Sequence, residues 1–419
     1  MATLPSGSDA EITFLSGLTA DGKIAAKSYW TWNFNAPNPG TYDSAKSSAF
    51  KWGPSQTPGT SGGTVKYFFD PASNWTDAEK AALAGGLHLW AAEANIQFNE
   101  VSSLASADFQ FIRGNDGQAN TDVTANPQVN IGDTTDGVPQ ERQRIWIDTS
   151  GATFGPIGDP SFASSFAAVA GQIYSTFIHE EGHALGLGHP GPYNAGDVYG
   201  GGPTIPGRQF SIYDNTLYSV MSYLHPQNTG TAFYKKYTVT GTYWGDPNGT
   251  APLGQPTTPQ MMDILAIQRI YGAPVSGPLH DGGQIFGFNS NVAGDVGHYF
   301  NFNINQNPII TIWDGGFGNT LDLSGFTTSS TIKLAPGSFT STDGLVNNIG
   351  IAEDTWIDAA IGSQGINKIT GNDHSNTLTG GPLGDTLSGG GGDDTLWSTT
   401  PRISSPRPWA AAPIPLTPA

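Results

Sequence analysis

A nine-residue period near the end of the chain constrains the fold more than any other feature of the sequence. Four units begin at Gly362, Gly371, Gly380 and Gly389, and each has an aliphatic residue at its eighth position and Asn or Asp at its sixth. A flexible Gly/Ser linker has no reason to keep apolar residues in such a register. The period therefore predicts a parallel β-roll, in which glycine-rich turns alternate with short strands whose aliphatic side chains fill the core.

The turns of such a roll predict several structural Ca²⁺ ions. Glycines allow a tight turn whose carbonyl oxygens face the ion, and a carboxylate at the sixth position neutralises it. The predicted calcium positions are Gly362, Gly365, Asn367, Gly371, Asp373, Asn376, Gly380, Gly381, Asp385, Gly389, Gly390, Gly392 and Asp394. Because Asn is neutral, we expect the first two turns to hold calcium more weakly than the last two.

A second motif predicts a catalytic metal centre. Residues 178–190 read IHEEGHALGLGHP, which places His179 and His183 on one face of a helix. Gly186 can end the helix and turn the chain so that His189 reaches the same ion. Three nitrogen ligands with one open position describe a catalytic Zn²⁺ site. Ordinary helix histidines beside a C-cap glycine are the alternative interpretation, which the third histidine in register disfavours.

The residue after the first histidine predicts the chemistry. Glu180 is the natural general base, because its carboxylate can take a proton from water and return it to a leaving amine. A zinc ion held by neutral imidazoles keeps its full charge and can polarise a scissile carbonyl. The motif therefore favours peptide-bond hydrolysis. We expect Glu181 to be a solvent-facing neighbour.

Composition excludes several classes of partner. The formal net charge is −18 with only 12% charged residues, which argues against a nucleic-acid partner because phosphate binding needs basic patches. No apolar run is long enough for a transmembrane helix, so no membrane partner is expected. With no cysteine, disulfides and thiolate metal ligands are excluded. The first residues lack the pattern of a signal peptide, which leaves a cytoplasmic protein, export that does not read the N-terminus, or a processed form.

The pattern of elements predicts an α+β protein in four segments. Residues 1–62 form an irregular N-terminal segment packed on the next domain, and residues 63–274 form a zinc metalloprotease domain with a twisted mixed sheet and helices. Residues 275–397 form a β-sandwich and parallel β-roll. Residues 398–419 form a proline-rich tail without acidic residues, which we predict to be disordered.

Within the second segment, strand and helix signals are local. Strands are predicted at Thr64–Phe69, Ile96–Val101, Asp108–Arg113, Gln128–Gly132 and Arg144–Asp148, and helices at Phe162–Leu187 and Met261–Tyr271. A further helix begins with a capping box formed by Thr76 and Glu79, followed by an apolar stripe that includes Leu83, Leu87 and Trp90.

The combined motifs resemble a known family. HExxHxxGxxH with a downstream Met221 marks the metzincin metalloproteases, and Pro190 after the third histidine resembles the serralysin family. Ser219–Tyr223 resembles that family's Met-turn, and Met261–Gly272 resembles the helix that closes its protease domain. The β-roll resembles its C-terminal domain, so the resemblance covers residues 60–397.

The resemblance implies roles for further residues. Met221 would form an apolar floor beneath the three histidines. Tyr223 would be an additional zinc ligand in the resting enzyme and a catalytic residue that hydrogen-bonds the tetrahedral intermediate. Asp314, Gly316 and Asn319 would form another calcium turn, although Asn319 stands where the family tends to have Asp.

The resemblance also implies a function. It predicts a secreted bacterial zinc endopeptidase, stabilised by calcium and exported without an N-terminal signal peptide. Its partners would be protein and peptide substrates, with a proteinaceous protease inhibitor as a second candidate, and we expect a monomer. The edge strand Gln128–Gly132 would pair with extended substrate.

Two other interpretations stay open at this point. One is a non-catalytic calcium-dependent binding or adhesion protein with a vestigial metal site, which the intact Glu180 disfavours. The other is another metzincin subfamily, of the astacin or adamalysin type, which Pro190, the roll and the lack of cysteine disfavour.

Overall fold

The computed structural model describes residues 7–33, 41–43, 49–115, 119–122, 130–131, 143–148, 172–194, 208–227, 237, 241–245 and 253–398. Its helices are α1 (Ser8–Ser16), α2 (Asp77–Glu93), α3 (Gln172–Ala184), α4 (Met261–Tyr271) and α5 (Val296–Phe300). Its strands are β1 (Ala49–Phe50), β2 (Thr64–Phe69), β3 (Gln97–Glu100), β4 (Phe109–Arg113), β5 (Ala119–Asp122), β6 (Asn130–Ile131), β7 (Gln143–Ile147), β8 (Ile285–Gly287), β9 (Ile310–Ile312), β10 (Thr320–Asp322), β11 (Ser330–Lys333), β12 (Phe339–Thr340), β13 (Ile349–Ile351), β14 (Ala359–Ile361), β15 (Asn367–Thr370), β16 (Thr377–Thr379), β17 (Thr386–Ser388) and β18 (Thr395–Trp397). The α+β class is confirmed. No helix in these ranges has the length and apolar content needed to cross a membrane.

A five-stranded mixed sheet organises the first part of the chain. Its order is β3-β2-β4-β7-β5, and every pair is parallel except β5 with β7. The sheet forms because β2 and β4 alternate, with Tyr67, Phe69, Phe109 and Phe111 all buried on the core side. The antiparallel strand β5 lies at one edge, beside α3.

Helix α2 supports the helix that carries the histidine motif. The predicted capping box is confirmed, since Thr76 accepts from the Glu79 amide and the Glu79 carboxylate accepts from the Thr76 amide. Leu83, Leu87 and Trp90 are buried, each contributing about 1.5–3 kcal/mol by the usual scale for apolar burial. The Trp90 indole also donates to the carbonyl of residue 178 in α3, so the two helices are held in register.

The prediction of an irregular N-terminal segment is wrong for α1. Ser8–Ser16 form a helix that packs on α4, with Ile12 and Leu15 buried, and it ends at Gly17 in the left-handed conformation with φ 78°. A nine-residue helix is marginal by itself and depends on tertiary packing. Because such a helix depends on contacts with distant segments, the residues of α1 alone do not predict it.

Two further predictions change in detail. The described part of the motif helix is Gln172–Ala184, and residues 162–171 of the predicted helix lie outside the described residues. Asn130–Ile131, inside the predicted edge strand, pair antiparallel with β1 in a separate two-stranded sheet. The edge of the main sheet is β5 instead, because β5 pairs with β7. Strands β2, β3, β4 and β7 match their predictions within two residues at each end.

The second part of the chain contains two all-parallel sheets and a third sheet, β12-β13-β9, in which only β9 and β13 are parallel. One all-parallel sheet has the order β18-β16-β14-β10-β8 and the other has β11-β15-β17. Neighbouring strands near the end are 18 residues apart, as in the pairs Thr377–Thr395 and Lys368–Thr386. Strands that pair in these two sheets are therefore two nine-residue units apart near the end. The eighth-position side chains of the first three units are fully buried, namely Ile369, Leu378 and Leu387.

The two parts share one continuous apolar core. Thr258, just before α4, accepts a hydrogen bond from the Thr311 amide of β9. The side chain of Met261 lies against Gly350 of β13. Helix α4 thus contacts α1 and α2 and also strand β13 of the second part. The predicted tail lies outside the described residues from position 399 onward.

Candidate metal centre

Three imidazoles converge where α3 ends. The Nε2 atom of His189 lies 3.2 Å from Nε2 of His179 and 3.1 Å from Nε2 of His183. All three candidate ligand atoms lie within 4.8 Å of one another, and all three residues are buried. A tetrahedral zinc ion bound at 2.0–2.1 Å places its ligand atoms about 3.3 Å apart. The donor set therefore fits one zinc ion.

Backbone carbonyls orient each ring. Nδ1 of His179 lies 3.0 Å from the Val220 carbonyl oxygen, Nδ1 of His183 lies 2.8 Å from that of Leu187, and Nδ1 of His189 lies 2.8 Å from that of residue 193. A carbonyl can only accept, so each Nδ1 carries the proton and each Nε2 presents a lone pair to the shared point. The triad is thus prepared as a neutral ligand set.

Burial keeps the rings unprotonated. It lowers the pKa of His179 to about 4 and that of His183 to about 3, and it lowers the pKa of His189 well below its ordinary value. The close approach of the other rings adds to the effect at His183 and His189. A metal ion therefore meets no competition from protons near neutral pH.

The turn between the second and third histidines is held by aromatic donors. The Trp52 indole donates to the Ala184 carbonyl, the Tyr271 hydroxyl to the Leu185 carbonyl, and the Trp30 indole to the Gly186 carbonyl. These are carbonyls that the helix end leaves without intrahelical partners. Gly186 has φ 102°, and a Cβ there would collide with a backbone oxygen of β1. Glycine is therefore required at this turn.

Glu180 lies next to the triad on α3. Its Oε2 accepts a 2.7 Å hydrogen bond from the hydroxyl of Thr121, in the edge strand β5. The same hydroxyl lies 2.8 Å from the Glu180 carbonyl oxygen. Burial raises the pKa of Glu180 to about 7, although the Thr121 hydrogen bond opposes the shift. A carboxyl with this pKa can exchange a proton near neutral pH.

Met221 and Tyr223 border the three imidazoles. Met221 is fully buried and packs closely against α3 at Gly182, which lies between His179 and His183. A Cβ added to Gly182 would lie only 2.6 Å from the Met221 sulfur. The Tyr223 ring stacks on His179 at 5.6 Å between centroids and lies 4.4 Å from the ring of His189. Both side chains therefore lie beside the imidazoles of the three histidines.

Two buried aspartates hold the segments that orient the ligands, and sequence reasoning missed both. Asp263, in the first turn of α4, accepts from the Ser219 hydroxyl and from the Val220 amide, at 2.6 Å each. The Val220 carbonyl in turn orients His179. Asp214 accepts from the Tyr193 hydroxyl at 2.6 Å, and the carbonyl of Tyr193 orients the third histidine. For Asp263, the local signal was its position in the first turn of a helix that the sequence predicts. Asp214 had no such signal.

The prediction for Glu181 is wrong. Its side chain is fully buried, and neither carboxylate oxygen has a hydrogen-bond partner among the described residues. It lies against Gly86 of α2 and Phe177 of α3. Burial raises the pKa of Glu181 well above its ordinary value, because a low-dielectric surrounding disfavours the charged carboxylate. The pair Gly85–Gly86 inside α2 was the available signal, because glycine within a helix indicates a close approach by another group.

The N-terminal segment also contributes to the centre, which sequence reasoning missed. The ring of Tyr29 lies 5.0 Å from that of His189 and 6.2 Å from that of His183. Its hydroxyl donates to Asn194 at 2.7 Å. No motif marked this tyrosine, because its role depends on a contact between segments more than 150 residues apart.

The predicted calcium positions lie in the turns of the second part, except Asn367, which is the first residue of β15. Asp385 is fully buried, and its Oδ2 has no hydrogen-bond partner among the described residues, whereas its Oδ1 accepts from the Asn367 amide. Oδ2 of Asp314 is similarly buried and unpartnered there. Asn319, Asn367 and Asn376 are buried, and the side-chain amide of each is hydrogen-bonded, to its own turn for Asn319 and Asn367 and to a neighbouring turn as well for Asn376.

Comparisons with known proteins agree on one family. Residues 278–405 match the family model described as "Peptidase M10 serralysin C terminal". The chain is similar to serralysin from Photorhabdus laumondii, at 32% identity over 302 residues, covering 72% of this chain and 54% of that protein. Serralysin B from Dickeya chrysanthemi is 33% identical over 314 residues, covering 74% of this chain and 55% of that protein.

A third relative matches a shorter stretch. Metalloprotease AprA from Pseudomonas entomophila is 39% identical over 197 residues, covering 47% of this chain and 36% of that protein. The chain thus spans about half the length of the curated relatives it matches. The solved structure of myroilysin aligns with 52% of this chain and 93% of that chain at 18% identity and a TM-score of 0.27, too low a score to argue from.

Proposed function

Because the chain belongs to the serralysin-type metzincins, we propose that it is a secreted zinc-dependent endopeptidase that hydrolyses peptide bonds of proteins. One observation carries the proposal: three Nε2 atoms converge beside a buried glutamate whose pKa lies near neutrality. His179, His183 and His189 would hold the ion. When bound there, zinc would polarise the scissile carbonyl and acidify water.

Glu180 is the proposed general base and later the general acid. Thr121 occupies Oε2, which leaves Oε1 to take the proton of the attacking water. The same atom then returns the proton to the leaving amine nitrogen. The hydrogen bond from Thr121 fixes the rotation of the carboxylate, so that Glu180 needs no reorganisation between the two transfers.

Tyr223 and Met221 complete the proposed site. Tyr223 stacks on the ring of His179 and lies 4.4 Å from the ring of His189, so its phenol would lie beside the reacting carbonyl. We assign it the role of an additional zinc ligand in the resting enzyme and of a hydrogen-bond donor to the tetrahedral intermediate. Met221 would be the apolar floor that packs beneath the histidines, in keeping with its full burial.

Strand β5 is the proposed substrate-binding edge, in place of Gln128–Gly132. It is the terminal strand of the mixed sheet, and its Thr121 contacts Glu180 directly. An extended peptide that adds to this edge brings its backbone to the metal centre through main-chain hydrogen bonds, which are independent of side-chain identity. Proteins and peptides are therefore the proposed substrates, with a proteinaceous inhibitor as a further partner of the same edge.

We also propose the domain organisation and the structural calcium. Residues 63–274 would form the protease domain, and residues 275–397 a β-sandwich and parallel β-roll, in one monomeric extracellular protein. Turns closed by a sixth-position aspartate fit calcium, because Asp385 keeps one buried oxygen without a partner among the described residues. Asp394 is the corresponding residue of the next unit.

The test of the proposed mechanism is Glu180→Ala, with Glu181→Gln as the matched control on the same helix. We expect Glu180→Ala to retain one zinc ion per chain and to lose casein hydrolysis by about 10²–10⁴-fold, the range typical of a general base. Glu181→Gln keeps the size and polarity of a buried side chain that has no hydrogen-bond partner among the described residues, so it should keep both properties. Casein hydrolysis by Glu180→Ala at the parent's rate would rule out the mechanism.

A further inference from the structure

Three asparagines in the second part occupy positions where a calcium turn would carry a carboxylate. They are Asn319, Asn367 and Asn376, and each is at most 1% exposed. Aspartates of the following turn accept hydrogen bonds from two of them: Asp358 accepts from the backbone amide of Asn319, and Asp385 accepts from that of Asn367. Asparagine and aspartate therefore alternate along the stack of turns.

At Asn319, the side-chain nitrogen lies at the centre of an oxygen cradle. Its Nδ2 donates to Oδ1 of Asp314, to the Gly316 carbonyl and to the Trp356 carbonyl, each at 3.1 Å. Its Oδ1 accepts from the backbone amide of Gln284 at 3.1 Å. The amide is thus held at both ends, and rotating it by 180° would set oxygen against oxygen.

Asn367 repeats the arrangement one sheet away. Its Nδ2 donates to the Ser363 and Gly365 carbonyls at 2.9 Å and to Oδ1 of Asp385 at 3.0 Å. Its Oδ1 accepts from the backbone amide of Ser363 at 3.0 Å and from the hydroxyl of the same residue at 2.8 Å. Again the donor side of the amide faces the oxygens, and the acceptor side faces donors.

The side-chain amide of Asn376 has the same orientation, but the oxygens that it faces belong to a neighbouring turn. Its Oδ1 accepts from the Asn372 amide at 2.7 Å, and its Nδ2 donates to the Ile357 and Asp358 carbonyls at 3.2 and 3.4 Å. Three independent turns therefore direct an NH₂ group toward the oxygens that a cation would bind. Calcium is ligated by oxygen and not by a protonated amide nitrogen.

We propose that these three asparagines close their turns in place of calcium: each side-chain amide donates its hydrogens to the carbonyl and carboxylate oxygens that a calcium ion would otherwise bind. The asparagine turns do not fit the calcium ion that the nine-residue repeat predicts at Asn367 and Asn376 and that the family resemblance implies at Asn319. The calcium requirement of the second part is then confined to turns closed by aspartate, such as that of Asp385. The inference rests on the proposed roll and is independent of the zinc centre.

The experiment converts an asparagine turn into a calcium turn in the full-length chain. Asn319→Asp places a second carboxylate against Asp314 and two carbonyls. We expect it to melt below the parent in a calcium chelator, to bind one more calcium ion per chain by calorimetric titration, and to gain about 5 °C more than the parent from calcium at about 100 times its dissociation constant. Asn367→Asp tests a second turn if the first variant folds poorly.

Two controls separate this inference from the proposed roll. Asn303→Asp adds the same charge at an exposed position of the same domain, and it should leave the calcium response of the parent unchanged. Asp385→Asn should reduce the response of the parent, and if it does not, the proposed calcium roll fails independently of the asparagine turns. Equal numbers of bound calcium ions in the parent, Asn319→Asp and Asn367→Asp would overturn the inference.

Discussion

Replacing Asp263 by alanine tests how the metal centre depends on a residue that touches no ligand. Its carboxylate accepts from the Ser219 hydroxyl, from the Val220 amide at 2.6 Å and from the Gln260 amide at 2.8 Å. The hydroxyl can rotate to another partner, but the two buried backbone amides cannot. Leaving each without an acceptor costs about 1–3 kcal/mol, so we expect a loss of about 2–6 kcal/mol in the free energy of unfolding.

The same change should weaken zinc binding. Loss of the Asp263 contact frees the backbone at Val220, whose carbonyl orients the imidazole of His179. Removing an outer partner of a metal ligand typically costs about 10–100-fold in metal affinity. Denaturant titration of the zinc-free protein gives the first quantity, and competition with a chromogenic zinc chelator gives the second.

The ion pair between Asp9 of α1 and Arg269 of α4 provides the matched control. Asp9 accepts from Arg269 of α4 at 2.6 Å and is mostly exposed, so Asp9→Ala should cost about 0.2–1 kcal/mol and leave zinc affinity unchanged. Asp263→Asn, which keeps one acceptor oxygen, should fall between the two if alanine prevents folding. The reasoning is refuted if Asp263→Ala lowers stability no more than Asp9→Ala and binds zinc as tightly as the parent.

Three other perturbations have defined outcomes. Gly186→Ala should lower the zinc content of the purified protein. Alanine tolerates a φ of 102° poorly and its Cβ would collide with the backbone of β1, so the turn before His189 would shift. Unchanged zinc content would contradict this prediction. Thr121→Val removes a hydrogen bond that lowers the pKa of Glu180, so the acidic limb of kcat/KM against pH should move to higher pH, and an unmoved limb would argue against Glu180 as the base. His88→Gln breaks the 2.6 Å pair with Asp295, which joins α2 to α5. The hydrogen bond with Asp295 raises the pKa of His88. Burial raises the pKa of Asp295 and the contact with His88 lowers it, and the net shift is a decrease. The pair therefore stabilises the fold fully above the unfolded pKa of Asp295, which is about 3.9. This stabilisation is lost as the pH rises through the raised pKa of His88. Because both groups are about a third exposed or more, the loss in His88→Gln should stay below about 1 kcal/mol and vanish above that window in denaturant titrations across pH.

Local signals in the sequence predicted the features that depend on neighbouring residues. Strand β2 was predicted to the residue from its β-branched and aromatic content, and the Thr76–Glu79 capping box marked the start of α2. The spacing of the three histidines sufficed to predict their convergence, because a helix and one turn connect all of them. These features depend on periods of a few residues.

Features that depend on distant segments could not be predicted in this way. Glu181 follows the proposed general base on a helix and is expected in solvent, yet it fills the space left by Gly86, about a hundred residues earlier. The edge strand was assigned to Gln128–Gly132 because hydrophobic alternation identifies strands without identifying their neighbours. The direction of the Asn319 amide follows from donors and acceptors in three separate segments, which no single stretch of sequence reveals.

The most direct test of the central claim is the metal content of the purified protein together with its casein hydrolysis, before and after a zinc-selective chelator. We predict one zinc ion per chain, casein hydrolysis that disappears with the metal, and recovery when zinc is added back in the presence of calcium. Casein hydrolysis that persists after the zinc has been removed, or a zinc-loaded protein without peptidase activity on casein, would contradict the account.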